Sequence, residues 1–333
     1  MDRIITPRDL IERPVFDIKN RIVAIVGYGN QGRSQALNLR DSGFNIIVGN
    51  IDDKYALEAK RDGFTTFEIR DAVSKSDIIF ILIPDELQQK VFENEITPFL
   101  KKGQTIVFAS GYNVYYNLLQ IPNFVAVLMI APRMIGWGVR EMFLKREGFP
   151  VLTAVGNDPY GEGEDVALEL AKGIGALGKN GCLIKSSFKE ETLLDLLSEH
   201  TWAGAILFLF RTYYDVATNL GASPEATILE LYGSGELAEI AQSMKEMGLF
   251  EQLKTHSKTS QYGQLTRGPE FATEDVKQII EQEAAKIVDG TFAREWADEQ
   301  KDGKRVYDLL KMNLEHPMVL EEKKLYKILG RVQ

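Results

Sequence analysis

The stretch that decides the fold is Ile22-Val23-Ala24-Ile25-Val26-Gly27-Tyr28-Gly29-Asn30-Gln31-Gly32-Arg33-Ser34-Gln35-Ala36. Its β-branched run ends at Gly27, which is typical of a strand buried on both faces of a parallel sheet. A Gly-x-Gly-x-x-Gly motif follows, and a helical pattern then covers Ser34 to Ser42. A second apolar run, Phe44 to Val48, completes the strand–helix–strand order that a dinucleotide-binding turn requires. The stretch therefore predicts a binding site for the pyrophosphate of a dinucleotide.

The three glycines of the motif have different expected roles. Gly27 makes the tight turn, Gly29 lets backbone N–H groups approach the phosphates, and Gly32 allows the helix to pack closely on the strand. The helix N-terminus adds a dipole that favours an anion. An ordinary glycine turn without a ligand is the alternative interpretation. The predicted cofactor-binding residues of this turn are Gly27, Tyr28, Gly29, Asn30, Gln31 and Gly32.

The segment after the second strand, Gly49-Asn50-Ile51-Asp52-Asp53-Lys54, is where a dinucleotide fold selects its cofactor. A carboxylate there accepts hydrogen bonds from the ribose hydroxyls of NAD and repels the 2′-phosphate of NADP. Asp52 and Asp53, with Asn50 beside them, therefore predict NAD. Two alternatives stay open. The aspartates could instead cap the following helix, and Lys54 and Arg61 could reach a phosphate, which keeps NADP possible.

Length and apolar patterning predict two domains. A chain of 333 residues fits two domains of roughly 150 residues each. Short apolar runs alternate with amphipathic stretches up to about residue 182, which predicts an open parallel sheet wrapped by helices. From residue 183 the periods are long and helical. The predicted fold is thus α/β, with an N-terminal Rossmann domain over residues 1–182 and an all-α domain over residues 183–333. Residues 1–20 are expected to be a surface lead-in without chemistry.

The overall charge limits the classes of partner. The chain carries 48 acidic and 39 basic residues, a net charge of −9, which argues against a nucleic-acid surface and favours a divalent metal as partner. It has no run of about 18 apolar residues that would predict a membrane span. The N-terminus lacks the pattern of a signal peptide, and Cys182 is the single cysteine. These features predict a cytoplasmic protein without a membrane partner.

The second half contains two pairs of candidate metal ligands. Asp195 and Glu199 lie four residues apart, so a helix would place both carboxylates on one face. Like charges at that spacing repel unless solvent screens them or a cation bridges them, and their leucine-rich surroundings predict a helix buried on most sides. Oxygen ligands of this kind suit Mg²⁺. A polar helix stripe without metal is the alternative interpretation.

The second pair is Glu230 and Glu236. Gly233 and Gly235 lie between them and predict a loosened or bulged helix, a feature that is often functional. The polar segment from His256 to Gly263 is expected to be a site loop. His200 and His256 are predicted to be packing residues outside the site, because a lone histidine more often packs than binds a ligand.

Together, and in this order, the motifs resemble those of the ketol-acid reductoisomerase family, the acetohydroxyacid isomeroreductases of branched-chain amino acid biosynthesis. The resemblance covers nearly the whole chain. Because dispersed motifs in the family's order are more specific than any one of them, the resemblance has more weight than the glycine turn alone. Besides the glycine turn, the motifs are Asn38-Leu39-Arg40-Asp41-Ser42-Gly43, Pro84-Asp85-Glu86, Met129-Ile130-Ala131-Pro132, Phe188-Lys189-Glu190-Glu191-Thr192 and Asn313 to His316-Pro317.

The resemblance implies a Rossmann domain, a knotted helical domain of the short-chain class, two Mg²⁺ ions, and a homodimer whose active sites combine both subunits. It also adds Pro84 to the cofactor-binding residues. Asp195 matches the family aspartate that bridges the metals, and Glu199 matches a glutamate ligand. Glu230 and Glu236 match glutamates from the partner subunit, so the implied metal ligands are Asp195, Glu199, Glu230 and Glu236. Ser257 matches the serine that binds the substrate carboxylate.

Three departures from the family pattern concern the substrate end. The family's two partner glutamates are four residues apart, whereas Glu230 and Glu236 are six apart, which implies a two-residue insertion. Ser110 replaces the family's histidine and Arg133 replaces its lysine. Serine does not titrate near neutral pH, and arginine keeps its proton. Ser110 and Arg133 are nevertheless included with Asp195 and Glu199 among the candidate catalytic residues.

The sequence therefore leads to one principal function and two alternatives. The principal one is an NAD(P)H- and Mg²⁺-dependent enzyme that acts on 2-hydroxy-2-alkyl-3-keto acids, first by an alkyl shift and then by hydride transfer. One alternative is a diverged relative that only reduces a 2-keto acid, another carbonyl or an imine. The other is a cofactor-binding protein without catalysis, which the acidic residues disfavour because burying like charges serves no purpose there.

Overall fold

The structure is a computed structural model that describes residues 3–11 and 13–331. It divides into two compact units, Met1–Leu194 and Asp195–Gln333. The outermost residues of the two predicted domains, 1–2 and 332–333, lie outside the described residues.

The first unit is built on a sheet that has nine strands within the described residues, in the order β1-β9-β8-β7-β6-β5-β2-β3-β4. Strands β4, β3, β2, β5, β6 and β7 are all parallel, in the order of a dinucleotide-binding sheet. The strand order reverses between β2 and β5, where such sheets bind their ligands. The strands are β1 (Ile4–Ile5), β2 (Ile22–Val26), β3 (Asn45–Gly49), β4 (Thr65–Phe67), β5 (Ile78–Ile81), β6 (Thr105–Phe108), β7 (Ala126–Pro132), β8 (Pro150–Val155) and β9 (Cys182–Lys185).

Two strand pairs differ from the predicted parallel sheet. β8 runs antiparallel to β7, and β1 runs antiparallel to β9. An apolar run shows that a strand is buried but not its direction, so sequence periodicity could not reveal the first pair. β1 lies in the segment that we expected to be a lead-in. Ile4 and Ile5 form only two residues of strand, which become recognisable through their pairing with Ile184 and Leu183.

Helices cover both faces of the sheet. β2 explains this arrangement, because Val23 and Ile25 pack in one apolar cluster and Val26 packs in the other. A strand buried on both faces is therefore apolar throughout, as the sequence predicted. The helices of this unit are α1 (Asn30–Asp41), α2 (Lys54–Arg61), α3 (Ile69–Lys75), α4 (Asp85–Val91), α5 (Tyr112–Tyr115), α6 (Gly136–Lys145) and α7 (Gly163–Gly173).

The described part of the second unit consists of helices and loops. A helical stretch begins with α8 (Phe188–Ser198), which contributes its first residues to the first unit. The buried apolar cluster of the second unit is small, and includes Tyr214, Ile228, Met318 and Leu325. The other helices are α9 (Gly204–Asn219), α10 (Pro224–Ile228), α11 (Glu236–Met247), α12 (Lys258–Arg267), α13 (Glu274–Val288), α14 (Thr291–Glu299), α15 (Lys304–Leu314) and α16 (Pro317–Ile328).

Many large apolar side chains of the helical unit are exposed in the single chain. Leu194 is 51% exposed and Trp202 is 68% exposed, so the prediction that the helix around Asp195 and Glu199 is buried on most sides is wrong for one chain. The helical stretch Phe188–Asn219 is long and apolar enough to cross a membrane by length and composition, which differs from the expectation of no such run. Only 6% of its most apolar window is buried. Length and composition alone are weak grounds for a membrane span, because core helices of soluble proteins share them.

Candidate active site

The glycine turn lies between β2 and α1 and has the predicted form. Gly27 has a φ of +93°, a left-handed conformation that favours glycine, and a Cβ there would lie 2.8 Å from the Leu82 carbonyl oxygen. A Cβ on Gly32 would lie 1.9 Å from the Gly27 carbonyl oxygen, so the start of α1 packs directly on the turn. Apart from Gly29 and its two neighbours along the chain, no described residue has an atom within 4 Å of the corresponding position at Gly29. The turn thus leaves space at Gly29 for a ligand to approach the backbone.

The side chains of Tyr28 and Asn50 support the turn from within. The Tyr28 hydroxyl donates a hydrogen bond of 2.8 Å to Asp62, and Arg33 donates one of 2.7 Å to the same carboxylate. The Tyr28 backbone N–H donates to Asn50 Oδ1 at 3.0 Å. Burial raises the pKa of Tyr28 well above its usual range. Tyr28 therefore ties the glycine turn to the end of α2, and Asn50 ties it to the β3–α2 loop.

The two adjacent aspartates have different surroundings. Asp53 is the N-cap of α2, where its Oδ1 accepts hydrogen bonds from the backbone N–H groups of Tyr55 and Ala56 at 2.9 and 3.1 Å. Asp52 is exposed and lines a cleft of 520 Å³ at the carboxyl end of β3. The helix-capping alternative therefore applies to Asp53, whereas Asp52 stays a candidate for binding a ribose. The cleft is lined on its apolar side by Ile51, Ile69, Leu87 and Val91.

Pro84 lies at the N-cap position of α4, after β5, on the other side of the strand-order reversal from β2. The next residue, Asp85, accepts hydrogen bonds through Oδ1 from the side-chain amides of Gln88 and Asn113. These contacts tie the start of α4 to the segment after β6. Pro84 is exposed, so its surface is accessible beside the predicted cofactor site.

Ser110 and Arg133 follow β6 and β7, and a glutamate that the sequence analysis missed links their two segments. Glu191 is buried, with a side chain only 2% exposed. Its Oε2 accepts a hydrogen bond of 2.6 Å from the Gly111 N–H, and its Oε1 accepts one of 3.1 Å from the Arg133 guanidinium. The Ser110 hydroxyl accepts from the Tyr112 N–H at 3.2 Å. Glu191 therefore fixes both altered positions relative to each other.

Tyr112, whose backbone N–H donates to the Ser110 hydroxyl, is buried in an aromatic environment. Its ring meets the Tyr116 ring edge-on, with 5.0 Å between centroids. Burial raises the pKa of Tyr112 to about 12, with smaller contributions from the charges of Tyr116 and Asp85. The phenol beside Ser110 therefore keeps its proton throughout the neutral range.

Two of the four candidate metal ligands, Glu199 and Glu230, lie in irregular turns of helix. Glu199 begins a π-helical turn, Glu199–Ala203, directly after α8, and Glu230 lies in a second one, Leu229–Gly233. Such turns are frequent at functional sites. Asp195 is half-buried, and the side chains of Glu199, Glu230 and Glu236 are exposed. Within residues 3–11 and 13–331, no three His, Cys, Asp or Glu side chains come together as a metal site. One chain therefore does not assemble all four carboxylates.

The segment between Glu230 and Glu236, where the resemblance implies a two-residue insertion, departs from a regular helix in two places. The π-helical turn Leu229–Gly233 widens one turn of helix, and Gly235 then adopts a φ of +99° as the N-cap of α11. Glu236 is the first residue of that new helix. The predicted irregularity at Gly233 and Gly235 is confirmed, and it allows the two glutamates to belong to different helical segments.

The prediction that the segment from His256 to Gly263 is a loop is wrong for most of it, because α12 begins at Lys258. Ser257 is exposed at the N-cap of α12, where its hydroxyl oxygen accepts from the Ser260 N–H at 3.2 Å and keeps its own proton for donation. His256 contacts the Gln252 side chain at 2.9 Å. His200 packs edge-on against Phe292, with 4.2 Å between ring centroids. Both histidines have partners within the chain, and their place outside the site stays a prediction.

Models of one protein family match both parts of the chain. The model described as "Acetohydroxy acid isomeroreductase, NADPH-binding domain" covers residues 17–181. The model described as "Ketol-acid reductoisomerase, C-terminal domain" covers residues 188–330. The chain belongs to the ketol-acid reductoisomerase family. It is thus an NAD(P)-dependent oxidoreductase, and the family predicted from the sequence is confirmed.

Individual relatives agree with this family over nearly their full length. A protein of Saccharolobus solfataricus named "Putative ketol-acid reductoisomerase 3" is 44% identical over 97% of this chain and 98% of its own. The "Ketol-acid reductoisomerase (NADP(+))" of Pyrobaculum islandicum is 38% identical over the whole of both chains. The solved structure of an "NADH-preferring ketol-acid reductoisomerase from an uncultured archean" aligns with a TM-score of 0.90 and 30% identity, over 97% of this chain and 98% of the other. The predicted fold class, α/β followed by a helical region, is confirmed.

Proposed function

We propose that this ketol-acid reductoisomerase acts on 2-hydroxy-2-alkyl-3-keto acids. In the first step an alkyl group would move from C2 to C3, while the C2 hydroxyl becomes a ketone and the C3 ketone becomes a hydroxyl. In the second step the reduced nicotinamide would give a hydride to the C2 ketone, and a proton would complete the 2,3-dihydroxy acid. The observation that carries the proposal is the match to both family models, over residues 17–181 and 188–330. The resemblance assigns the family's oxygen ligands and substrate serine to Asp195, Glu199, Glu230, Glu236 and Ser257.

The carboxylates fit Mg²⁺ by their chemistry, because hard oxygen ligands are those that this ion prefers. Asp195 and Glu199 supply one pair, and Glu230 and Glu236 supply the other. When bound, Mg²⁺ would polarise the hydroxyl and keto oxygens of the substrate. The Ser257 hydroxyl would donate a hydrogen bond to the substrate carboxylate.

The site is proposed to combine two copies of the chain in a homodimer. Two observations support this assembly. The four carboxylates do not come together within the described part of one chain. The helical unit also exposes large apolar side chains, among them Leu207 at 67% and Phe208 at 50%, which water alone would cover at a cost in free energy. A second copy that buries α9 would also explain why an apolar helix belongs to a cytoplasmic enzyme without a membrane or nucleic-acid partner.

NADH is the proposed cofactor, with NADPH as the competing one. Asp52 lines the cleft where the adenine ribose would bind and would repel a 2′-phosphate. Arg33 could otherwise attract that phosphate, but its guanidinium is paired with Asp62 at 2.7 Å and with Glu58 at 3.2 Å. The archaeal structural neighbour prefers NADH, whereas the Pyrobaculum proteins are named for NADP. The negative charge of Asp52 at this cleft favours NADH, the cofactor that the archaeal structural neighbour prefers.

Ser110 and Arg133 favour a second candidate function, in which the enzyme reduces a 2-keto acid without alkyl migration. Ser110 cannot exchange a proton near neutral pH as the family's histidine can. Arg133 carries a permanent charge that its hydrogen bond to the buried Glu191 holds in one direction. Both changes concern groups at the substrate end and leave the hydride donor unaffected.

One experiment separates the two candidates. Purified enzyme with Mg²⁺ is given acetolactate, or the 3-hydroxy-2-keto acid that alkyl migration would produce, and the oxidation of NADH and of NADPH is followed. Turnover of both compounds supports the full reaction. Turnover of the 3-hydroxy-2-keto acid alone supports reduction without migration, and no turnover of either contradicts both proposals.

A further inference from the structure

A polar stripe follows one face of α1, where that helix packs in the interior. Gln31, Gln35 and Asn38 are spaced by four and three residues, so they lie on the same face. Gln35 and Asn38 are completely buried, at 0% exposure. The Asn38 side chain donates hydrogen bonds to the carbonyl oxygens of Val139 in α6 and of Ile174 after α7. A buried helix face is usually apolar, because a buried polar side chain is stable only when it is hydrogen-bonded. The hydrogen bonds of this stripe therefore indicate what it does.

The first two residues of the stripe form a relay to the segment that follows β7. Gln31 Nε2 donates a hydrogen bond of 3.0 Å to the carbonyl oxygen of Met134. Gln35 Nε2 donates one of 3.1 Å to Gln31 Oε1. Met134 is the direct neighbour of Arg133, whose guanidinium contacts Glu191. The relay therefore connects the glycine-turn helix with the residue that replaces the family's lysine.

The relay works in one direction only. A carbonyl oxygen accepts, so Gln31 must turn its NH₂ group towards Met134 and its oxygen towards Gln35. Gln35 must then present its own NH₂ group, which leaves Gln35 Oε1 with no hydrogen-bond partner among the described residues. An unpaired buried acceptor destabilises the folded state, because it loses its hydrogen bond to water. The two hydrogen bonds keep the Gln31 amide in a single orientation, although Gln35 Oε1 is left unpaired.

We propose that Gln35 is a positioning residue, whose buried amide orients Gln31 and thereby holds the Met134 carbonyl so that Arg133 stays beside Glu191. The start of α6 lies close enough to transmit such a constraint, because a Cβ on Gly136 would lie 2.4 Å from the Asn30 carbonyl oxygen. The role of Gln35 in turnover rests on the proposed function, which assigns Arg133 to the substrate site.

Gln35→Met tests the relay, since methionine has a similar volume and cannot donate a hydrogen bond. Gln35→Leu is the second variant, because leucine also lacks a hydrogen-bond donor and removes the bond to Gln31 Oε1. Gln104→Met is the matched control. Gln104 is also buried, its Nε2 donates to the carbonyls of Val73 and Ser76, and it lies at the opposite, amino-terminal edge of the sheet.

The first readout needs no turnover. Trp137 is the second residue of α6 and is exposed, so in a chain with Trp202→Phe and Trp296→Phe its fluorescence reports on the segment around Met134. We expect Gln35→Met to change the acrylamide quenching and emission maximum of Trp137, and Gln104→Met to leave both unchanged. An unchanged Trp137 signal in a folded Gln35→Met protein would overturn the proposal. Gln35→Leu provides the same test if the methionine variant does not fold.

The second readout is steady-state kinetics with all tryptophans present. For Gln35→Met we expect kcat to fall about tenfold, since misplaced groups lose catalytic efficiency, while the NADH dissociation constant changes less than about threefold. Equal effects of Gln35→Met and Gln104→Met on kcat and on NADH binding would contradict a positioning role. If the unmodified enzyme turns over neither test compound, the proposed function fails, and the Trp137 signal still decides whether the relay exists.

Discussion

At the scale of single residues, Asp52 and Asp53 predict separable effects on cofactor choice and on stability. Asp52→Ser should lower the preference for NADH over NADPH by about tenfold, because it removes the charge that repels a 2′-phosphate. Asp53→Ala should lower the free energy of unfolding by about 1 kcal/mol through loss of the α2 cap and leave cofactor preference unchanged. Ratios of kcat/KM for the two cofactors and denaturant unfolding measure both effects. If Asp53→Ala shifted the preference between NADH and NADPH and Asp52→Ser did not, Asp53 and not Asp52 would be the residue that selects the cofactor.

Asp62 predicts a pH dependence of stability. Hydrogen bonds from Arg33 and then from Tyr28, acting against burial, lower the pKa of Asp62 below its ordinary value of 3.8. The ionised carboxylate therefore stabilises the fold above that ordinary value, and this contribution is lost as the pH falls below it towards the lowered pKa. The difference in unfolding free energy between the unmodified protein and Asp62→Asn should be constant above about pH 5 and shrink below pH 4. A difference independent of pH would count against this ionic role.

Residues with local tasks were predictable from the sequence, and those with distant partners were not. The roles of Gly27 and Gly32 follow from a six-residue motif. Glu191 acts on Gly111 and Arg133, which are 80 and 58 positions away along the chain. The available signal was a glutamate one helical turn before Asp195, on the same helix face, but spacing alone does not show that it would be buried between two strand ends.

At the scale of elements, the helix break between Glu230 and Glu236 can be tested with a matched pair of glycines. Gly235 and Gly221 have φ values of +99° and +94°, and apart from each glycine and its chain neighbours no described residue lies within 4 Å of a Cβ on either. Alanine at each should cost about 1 kcal/mol of stability from the left-handed backbone. Only Gly235→Ala should also raise the Mg²⁺ concentration for half-maximal activity, by about tenfold, because it would displace Glu236. Equal Mg²⁺ requirements in both variants would exclude that role for the break.

The sequence predicted where the elements lie better than how they pair. The strand–helix alternation up to residue 182 matches the parallel core of the sheet, since burial on both faces produces unbroken apolar runs. The direction of β8 and the pairing of β1 depend on contacts between distant segments, which periodicity does not encode. The insertion at Gly233 and Gly235 was visible as a spacing change, but its division into a π-helical turn and a new N-cap required the structure.

At the scale of the whole molecule, the exposed apolar side chains predict a stable dimer. Sedimentation should give twice the mass of the 37.5 kDa chain. Leu207→Asp, which introduces a charge on the exposed face of α9, should shift the protein towards monomer and abolish turnover together. The matched control is Leu57→Asp on α2 of the first unit, where the leucine is 50% exposed, and it should leave the mass unchanged. A monomeric and fully active Leu207→Asp protein would contradict the shared site.

The most direct test of a site that combines two subunits is complementation between two inactive variants. Asp195→Asn and Glu230→Gln proteins are purified, dissociated, mixed in equal amounts and reassembled, and oxidation of the nicotinamide cofactor is measured with Mg²⁺ and the substrate that the unmodified enzyme turns over. Random assembly makes about half of the dimers mixed, and each mixed dimer has one intact site, so activity should return to about a quarter of the unmodified level. If the unmodified enzyme is active and mixed dimers form, but the mixture is as inactive as each variant alone, the active site does not combine two subunits.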